Sequence, residues 1–326
     1  MPYKIFDRSR LLIKPISERI HDLHLPQMLV SMDDPVPDFA DPSIEKISAA
    51  IINAKKQNAP IILMMGAHLL RKGMNPLIID LMKHGFITHI GLNGAGCIHD
   101  YELARIGATT ESVARYIHEG QFGLWKESGE LNDLINEGAD QGLGLGEAVG
   151  KAIVEREYPF RSTSLLAQAY EMQIPVTVHV SIGSDIIHEH PNCDPQRLGK
   201  ATYQDFLVFA NTIDHLENGV YLSYGTAIMG PEVYLKALAM SRNAAYQEGR
   251  EIRHFTTAVF DLQDLGEDWH QEIPKNQAAY YFRPYKTILV RTVADGGVSY
   301  YVRGDHAVTF PVLYHTILKT AGETKA

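Results

Sequence analysis

The stretch APIILMMGAHLLRKGMNPLIIDLMKHGFITHIGLNGAG runs from Ala59 to Gly96. Its opening, Ile61 to Met65, is a continuous apolar run of the kind a strand carries when both its faces are buried. NPLIIDLMKHG follows with helical spacing, and predicts Asn75 as N-cap, Pro76 at the first helical position and Gly85 as the stop. ITHIGLNGAG is then a second buried strand that runs into a small-residue turn. A strand, a helix and a strand in so short a span form a crossover unit, and crossover units build parallel sheets.

The pattern continues along the chain. STSLLAQAYEMQ reads as a helix and IPVTVHVSIGS as a strand; YQDFLVFANTIDHL is a helix, GVYLSYGTA a strand and GPEVYLKALAMSRNAAYQEG a helix. REIRHFTTAVFD and YKTILVRTVADG read as further strands, and TFPVLYHTILKTA as a closing helix. The expected fold is therefore α/β, a Rossmann-like and mostly parallel sheet with helices on both faces. Residues 1–45 read as an N-terminal arm, since PQMLVSMDDPVPDFADPS is too rich in Pro and Asp for a long regular element. Asp41 or Ser43 should cap the helix that leads into a single domain over 46–326. Asp264 to Gln277 is acidic and irregular, and reads as an excursion loop.

Composition narrows the function. The chain has 326 residues and a formal net charge of −9, which leaves no basic footprint for nucleic acid. Two cysteines, Cys97 and Cys193, are too few for a disulfide framework, and no run approaches the ~18 apolar residues of a membrane span. The expectation is a cytoplasmic protein without membrane or nucleic-acid partners. HEHPNCD brings His188, His190 and Cys193 together, but its spacing fits no closed zinc site, and no metal is expected. QGLGLGEAVGKAI has glycines at 142, 144, 146 and 150, which is not the dinucleotide spacing, and a polar segment precedes it; it reads as a loop into a helix.

In a parallel sheet, ligands bind outside the carboxyl ends of the strands. Those ends are MGAHLL, NGAGCIHD, SIGSDIIHEHP, SYGTAIMG and TTAVFD, each rich in small residues and each carrying a polar group. Small residues let a backbone approach a ligand closely. His99 and Asp100 could orient a ligand or cap the next helix. One lysine, Lys286, stands between an aromatic run (Tyr280, Tyr281, Phe282, Tyr285) and an apolar one (Ile288 to Val290). A desolvated lysine becomes a better nucleophile and can carry an imine.

These segments resemble, in order and from about residue 60 to 318, the deoxyhypusine synthase family in a divergent branch. The resemblance rests on GAHLLRKGMNPLIIDLMKHGFITHIGLNGAGCIHD, on STSLLAQAYEMQIPVTVHVSIGSD and on GDHAVTFPVL. It implies a homotetramer that binds NAD, and a transferase that moves an aminoalkyl group from a polyamine such as spermidine. The group would pass through a lysine imine to an amine or a protein-lysine acceptor. By resemblance Lys286 is the carrier and Asp185 grips a substrate ammonium; His188, a pocket residue of the same loop, and Glu232, a carboxylate near the turn after the fifth strand, are expected to contact the amine as well. The NAD contacts it implies are Gly66, Ala67, His68, Asn93, Gly94, Ala95, Asp100, Gly225, Thr257, Ala258, Asp261 and Asp305. The family's catalytic histidine after the fifth strand is missing from SYGTAIMGPE, where Met229 or Gly230 stands. The alternatives are a non-catalytic nucleotide-binding subunit and a plain NAD-dependent amine oxidoreductase.

Overall fold

The computed structural model describes residues 3–266 and 268–323. Glu267, within the expected excursion loop, lies outside the described residues. Six strands form the sheet: β1 (Ile61–Met65), β2 (His89–Asn93), β3 (Val176–His179), β4 (Val220–Tyr224), β5 (Thr256–Asp261) and β6 (Val298–Arg303). All neighbours are parallel and the order is β3-β2-β1-β4-β5-β6. This is the doubly wound order of Rossmann-like sheets. The chain winds outward from β1 to β3, then returns to lay β4 on the other side of β1. The switch point therefore lies between β1 and β4.

The strands are buried on both faces, as their unbroken apolar runs require. Ile61, Leu63 and Met65 point into one core with Val220, Leu222 and Phe260. Ile62 and Met64 point into the other with Tyr221 and Val259. The first core is closed chiefly by α1 (Pro42–Lys56), α2 (Asn75–Lys83), α3 (Gly94–Ile106), α4 (Lys126–Asp140), α5 (Leu145–Glu155) and α6 (Leu165–Glu171). The second is closed by α7 (Pro195–Asp214) and α8 (Met229–Gln247). The last helix, α9 (His306–Ala321), packs against α1. Asp41 caps α1 by accepting from Ser43 N at 2.8 Å. Asn75 is not a cap. It takes the first helical position, and its amide donates to Thr163 O at 2.8 Å.

One strand expectation is wrong. The run from Tyr285 to Arg291 is a π-helical turn, and the sixth strand comes later, over VSYYVR. A short buried apolar run looks alike as helix or strand, because periodicity needs a contrasting polar face to show itself. Here hydroxyls of the flanking strands bond the carbonyls of the turn: Thr257 Oγ1 donates to Ile288 O at 3.0 Å, and Ser299 Oγ to Leu289 O at 2.7 Å. Lys286 thus sits in a helical turn packed on β5, not at the start of a strand.

The arm is docked on the domain. Leu23–His24 pairs antiparallel with Ala108–Thr109. Arg19 makes a bidentate pair with Glu102 of α3 at 2.9 and 2.8 Å, with both side chains almost fully buried. Glu102 also accepts from Thr109 and Ser128, so every lone-pair direction of a buried carboxylate is used. Breaking one partner of such a pair strands the other charge in a medium that cannot solvate it, at a cost of about 3–5 kcal/mol. Arg19→Ala should lose that much in urea unfolding. Arg19→Met with Glu102→Gln, which leaves no stranded charge, should lose less.

Candidate functional site

Two backbone turns meet at the switch point. Gly66 follows β1 and Gly225 follows β4, and Gly66 N donates to Tyr224 O at 3.1 Å. A Cβ on Gly66 would stand 2.5 Å from the Gly225 carbonyl oxygen. Gly225 has φ +58°, and a Cβ there would stand 2.9 Å from His306 Nε2. Glycine is required at both positions, by contact at the first and by contact and backbone conformation at the second. Asn93, beside them at the end of β2, caps α3 by accepting from Gly96 N at 2.8 Å. Ala67 and His68 turn away from Gly66 into a short helical turn, His68–Arg71. The sheet thus brings Gly66, Ala67, His68, Asn93, Gly94, Ala95 and Gly225 together along adjacent strand ends.

Asp185 lies on the loop after β3 and reaches over to α3. A Cβ on Gly94 would stand 2.0 Å from Asp185 Oδ2, so only glycine admits the carboxylate there. Oδ2 is buried and has no hydrogen-bond partner among the described residues. Burial pushes the Asp185 carboxyl up to about 6. His188 stands beside it, its Nε2 4.0 Å from Oδ2 and likewise buried and unpartnered. His188 Nδ1 accepts from the backbone N–H groups of Gly183 and Asp185, both at 3.1 Å. The neutral ring must then carry its proton on Nε2, toward the carboxylate. Burial holds the His188 pKa below its ordinary value, which favours that neutral form. A desolvated acceptor and a desolvated donor, too far apart to bond each other, are suited to a polar ligand group between them.

Other predicted residues lie elsewhere. The Asp100 carboxylate is fully buried and accepts from Ser164 Oγ, Leu165 N and Leu166 N, so it caps α6 and does not face the strand ends. Thr257 and Ala258 lie in the first half of β5, fully buried in the sheet. Asp261 ends β5, where it accepts from Leu262 N at 2.7 Å. Asp305 caps α9, accepting from Ala307 N at 2.8 Å, and stands 3.4 Å from Lys72 Nζ. Glu232 in the first turn of α8 is paired with Lys236 and Arg283. Lys286 is 6% exposed, with Nζ 3.9 Å from the Tyr280 ring centre and 5.9 Å from that of Tyr281. Those ring faces attract an ammonium.

The sequence reading missed His306. It follows the cap residue Asp305 at once, in GDHAVTF, and that adjacency to a named strand-end residue was the available signal. Among the described residues no cluster of His, Cys, Asp and Glu is arranged to hold a metal, and no helix is long and apolar enough to cross a membrane.

No protein-family model matches the chain, and no curated protein matches it. Its fold is similar to that of a protein ascribed to the LOR/SDH type from Methanococcus maripaludis S2. That likeness has a TM-score of 0.51 and 14% identity, over 90% of this chain and 73% of that one. It is also similar to AgrE, solved with ornithine and NAD+, with a TM-score of 0.50 and 11% identity over 85% of this chain. The chain spans 33% of the length of AgrE. A protein ascribed as a deoxyhypusine synthase from Entamoeba histolytica matches with 10% identity and a TM-score of 0.39, too loose a likeness to build on. At these identities the likeness establishes the fold alone.

The raised Asp185 carboxyl has a measurable consequence. Because the folded state holds this proton more tightly than the unfolded chain, stability falls as pH rises from the ordinary 3.8 through about 6. That interval corresponds to about 3 kcal/mol at most. Asp185→Asn should therefore gain stability over the wild type at pH 8, by up to that amount, and lose this gain below pH 4. Urea unfolding at the two pH values checks it.

Proposed function

We propose that this chain is an NAD-dependent enzyme acting on an amine. The observation that carries the proposal is the pairing of bare backbone at the switch point with a desolvated, unpartnered carboxylate at Asp185. Glycines at 66 and 225 admit a dinucleotide to the strand ends, where doubly wound sheets bind one. Gly66, Ala67, His68, Asn93, Gly94, Ala95 and Gly225 would hold it, with Asp261 and Asp305 at the far strand ends. NAD, when bound, supplies a hydride acceptor. Asp185 would take the ammonium of the substrate, gaining the partner its Oδ2 lacks, while the Nε2–H of His188 would donate to an acceptor atom elsewhere on the ligand. AgrE, which shares the fold, was solved with ornithine and NAD+.

The finer form of the proposal is group transfer: Lys286 would attack the oxidised carbon as the remainder of the polyamine leaves as a free amine, hold the aminoalkyl group as an imine, and be displaced in turn by an acceptor amine or protein lysine, whose imine takes the hydride back. Burial of Lys286 supports it. A second reading, a plain amine oxidoreductase, needs no carrier at Lys286, whose Nζ is already packed over the Tyr280 ring at 3.9 Å.

One experiment separates these readings. The protein is incubated with NAD+ and, in turn, spermidine, putrescine and ornithine; NADH is followed by absorbance, and borohydride then traps any imine for mass spectrometry. An adduct on Lys286 supports transfer, whereas NADH that accumulates without an adduct supports the oxidoreductase. NAD+ that binds without either result leaves a binding subunit, and failure to bind NAD+ sinks the proposal. Gly225→Ala should weaken NAD+ binding about tenfold by calorimetry and cost at least ~1–2 kcal/mol of stability, from Ala in a left-handed conformation together with the shift it forces on His306.

A further inference from the structure

Asp185 and His188 offer two free positions that differ in kind. Asp185 Oδ2, when ionised, can only accept. His188 Nε2 can only donate, because Nδ1 is already spent on the N–H groups of Gly183 and Asp185, both at 3.1 Å. The Asp185 and His188 side chains are 10% and 6% exposed, and neither free atom has a partner among the described residues. The 4.0 Å between them is too long for a direct bond. Gly183 belongs to a loop, Ser181 to Ser184, that is exposed at every residue, so the pair sits beneath chain that solvent reaches.

Their position adds a third constraint. A Cβ on Gly94 would meet Asp185 Oδ2 at 2.0 Å, and Gly94 is the first residue of α3, which has 13 residues. The pair therefore stands at the opening turn of a long helix. Asn93 takes the N–H of Gly96 there. The first N–H groups of a helix have no carbonyl within it to receive them, and that end attracts anions. One side of this small space asks for a cation, and the other for an anion that can accept a hydrogen bond.

We propose that the amine received here is that of an α-amino acid, with its ammonium on Asp185 Oδ2 and its carboxylate accepting from His188 Nε2–H at the N-terminus of α3. The inference rests on the reading of the chain as an NAD-dependent amine enzyme, and names the class of amine. An ammonium and a carboxylate on one carbon satisfy both orphaned atoms at once, each with the charge its surroundings favour. A protonated diamine or polyamine cannot do this. It carries donors and methylenes only, so His188 Nε2–H stays buried and unpaired when one is bound. A hydroxyl beside the amine could accept that bond, but it brings no charge to the helix end.

The test compares ligands that differ in one group. Ornithine is putrescine with a carboxylate added, lysine is cadaverine with one, and ornithinol carries a hydroxymethyl group in that place. With the whole protein and NAD+, NADH formation gives kcat/KM for each; calorimetry with NADH in place of NAD+ gives each affinity. Ornithine should exceed putrescine, or lysine cadaverine, by roughly 10–100-fold in both readouts, the effect of leaving one buried donor unpaired. Ornithinol should fall between ornithine and putrescine. In His188→Phe, which has no donor, the ratio within the favoured pair should drop toward one. Asp185→Asn should weaken both members of the pair and keep their order. The wild-type ratios decide the matter even where a variant folds poorly. Diamines or spermidine used as well as the amino acids overturn the inference and leave the proposed function standing, as does ornithinol equal to ornithine. A preference for the amino acid that survives His188→Phe also overturns it. No NADH from any of these ligands sinks the proposed function, and the inference with it.

Discussion

The approach of two main-chain turns between β1 and β4 governs everything built around it. Where Gly66 and Gly225 meet, there is room for backbone and for nothing else. That contact follows from the winding order, because β1 and β4 are neighbours in the sheet but far apart in the chain. Their following segments must diverge at once, one toward β2 and the other toward α8. In doubly wound sheets, segments that part from adjacent strand ends are where ligands are received, and glycine keeps the backbone there open to approach. A side chain at either position would push the strand ends apart or block that approach.

Around this floor the protein keeps polar groups in states that do not favour folding. Burial raises Asp185 to about 6, and Asp185 Oδ2, His188 Nε2 and His306 Nδ1 all lack partners among the described residues. Each buried unpaired polar atom costs about 1–3 kcal/mol. Asp100 and Glu102, by contrast, are more deeply buried yet saturated with hydrogen bonds, and both serve structure. The division is informative: on α3, the saturated carboxylates face the core, and the unsaturated one of the adjoining loop faces the helix's open end. Groups left wanting partners are where a ligand gains most by binding.

Most of the fold was legible in the sequence because the strands are buried on both faces and the turns between them are rich in glycine. IILMM and HIGLN can be little else in a chain that alternates them with amphipathic helices. The run after Lys286 misled because Ile288 to Val290 is too short to show a period, and its helical form appears only in backbone bonds such as Thr292 N to Thr287 O at 3.3 Å. The glycines of the site were visible, since they stand at strand ends. The role of Asp100 was not, because a carboxylate that caps a helix 64 residues away leaves no local trace. His306 was hidden by distance as well: it meets Gly225 only because β6 lies two strands from β4, and α9 folds back over their ends.

The arm enters this arrangement through α3. Arg19 grips Glu102, eight positions along the helix from Gly94, a separation of about 12 Å at 1.5 Å per residue. A helix transmits displacement along its axis with little loss, so the salt bridge acts as a fixed stop at one end of a rigid rod whose other end receives Asp185. The clearance at Gly94 is set in tenths of an ångström. A slip at the stop would therefore appear undiminished at the binding end. Residues near the start of the chain calibrate a gap that they never touch.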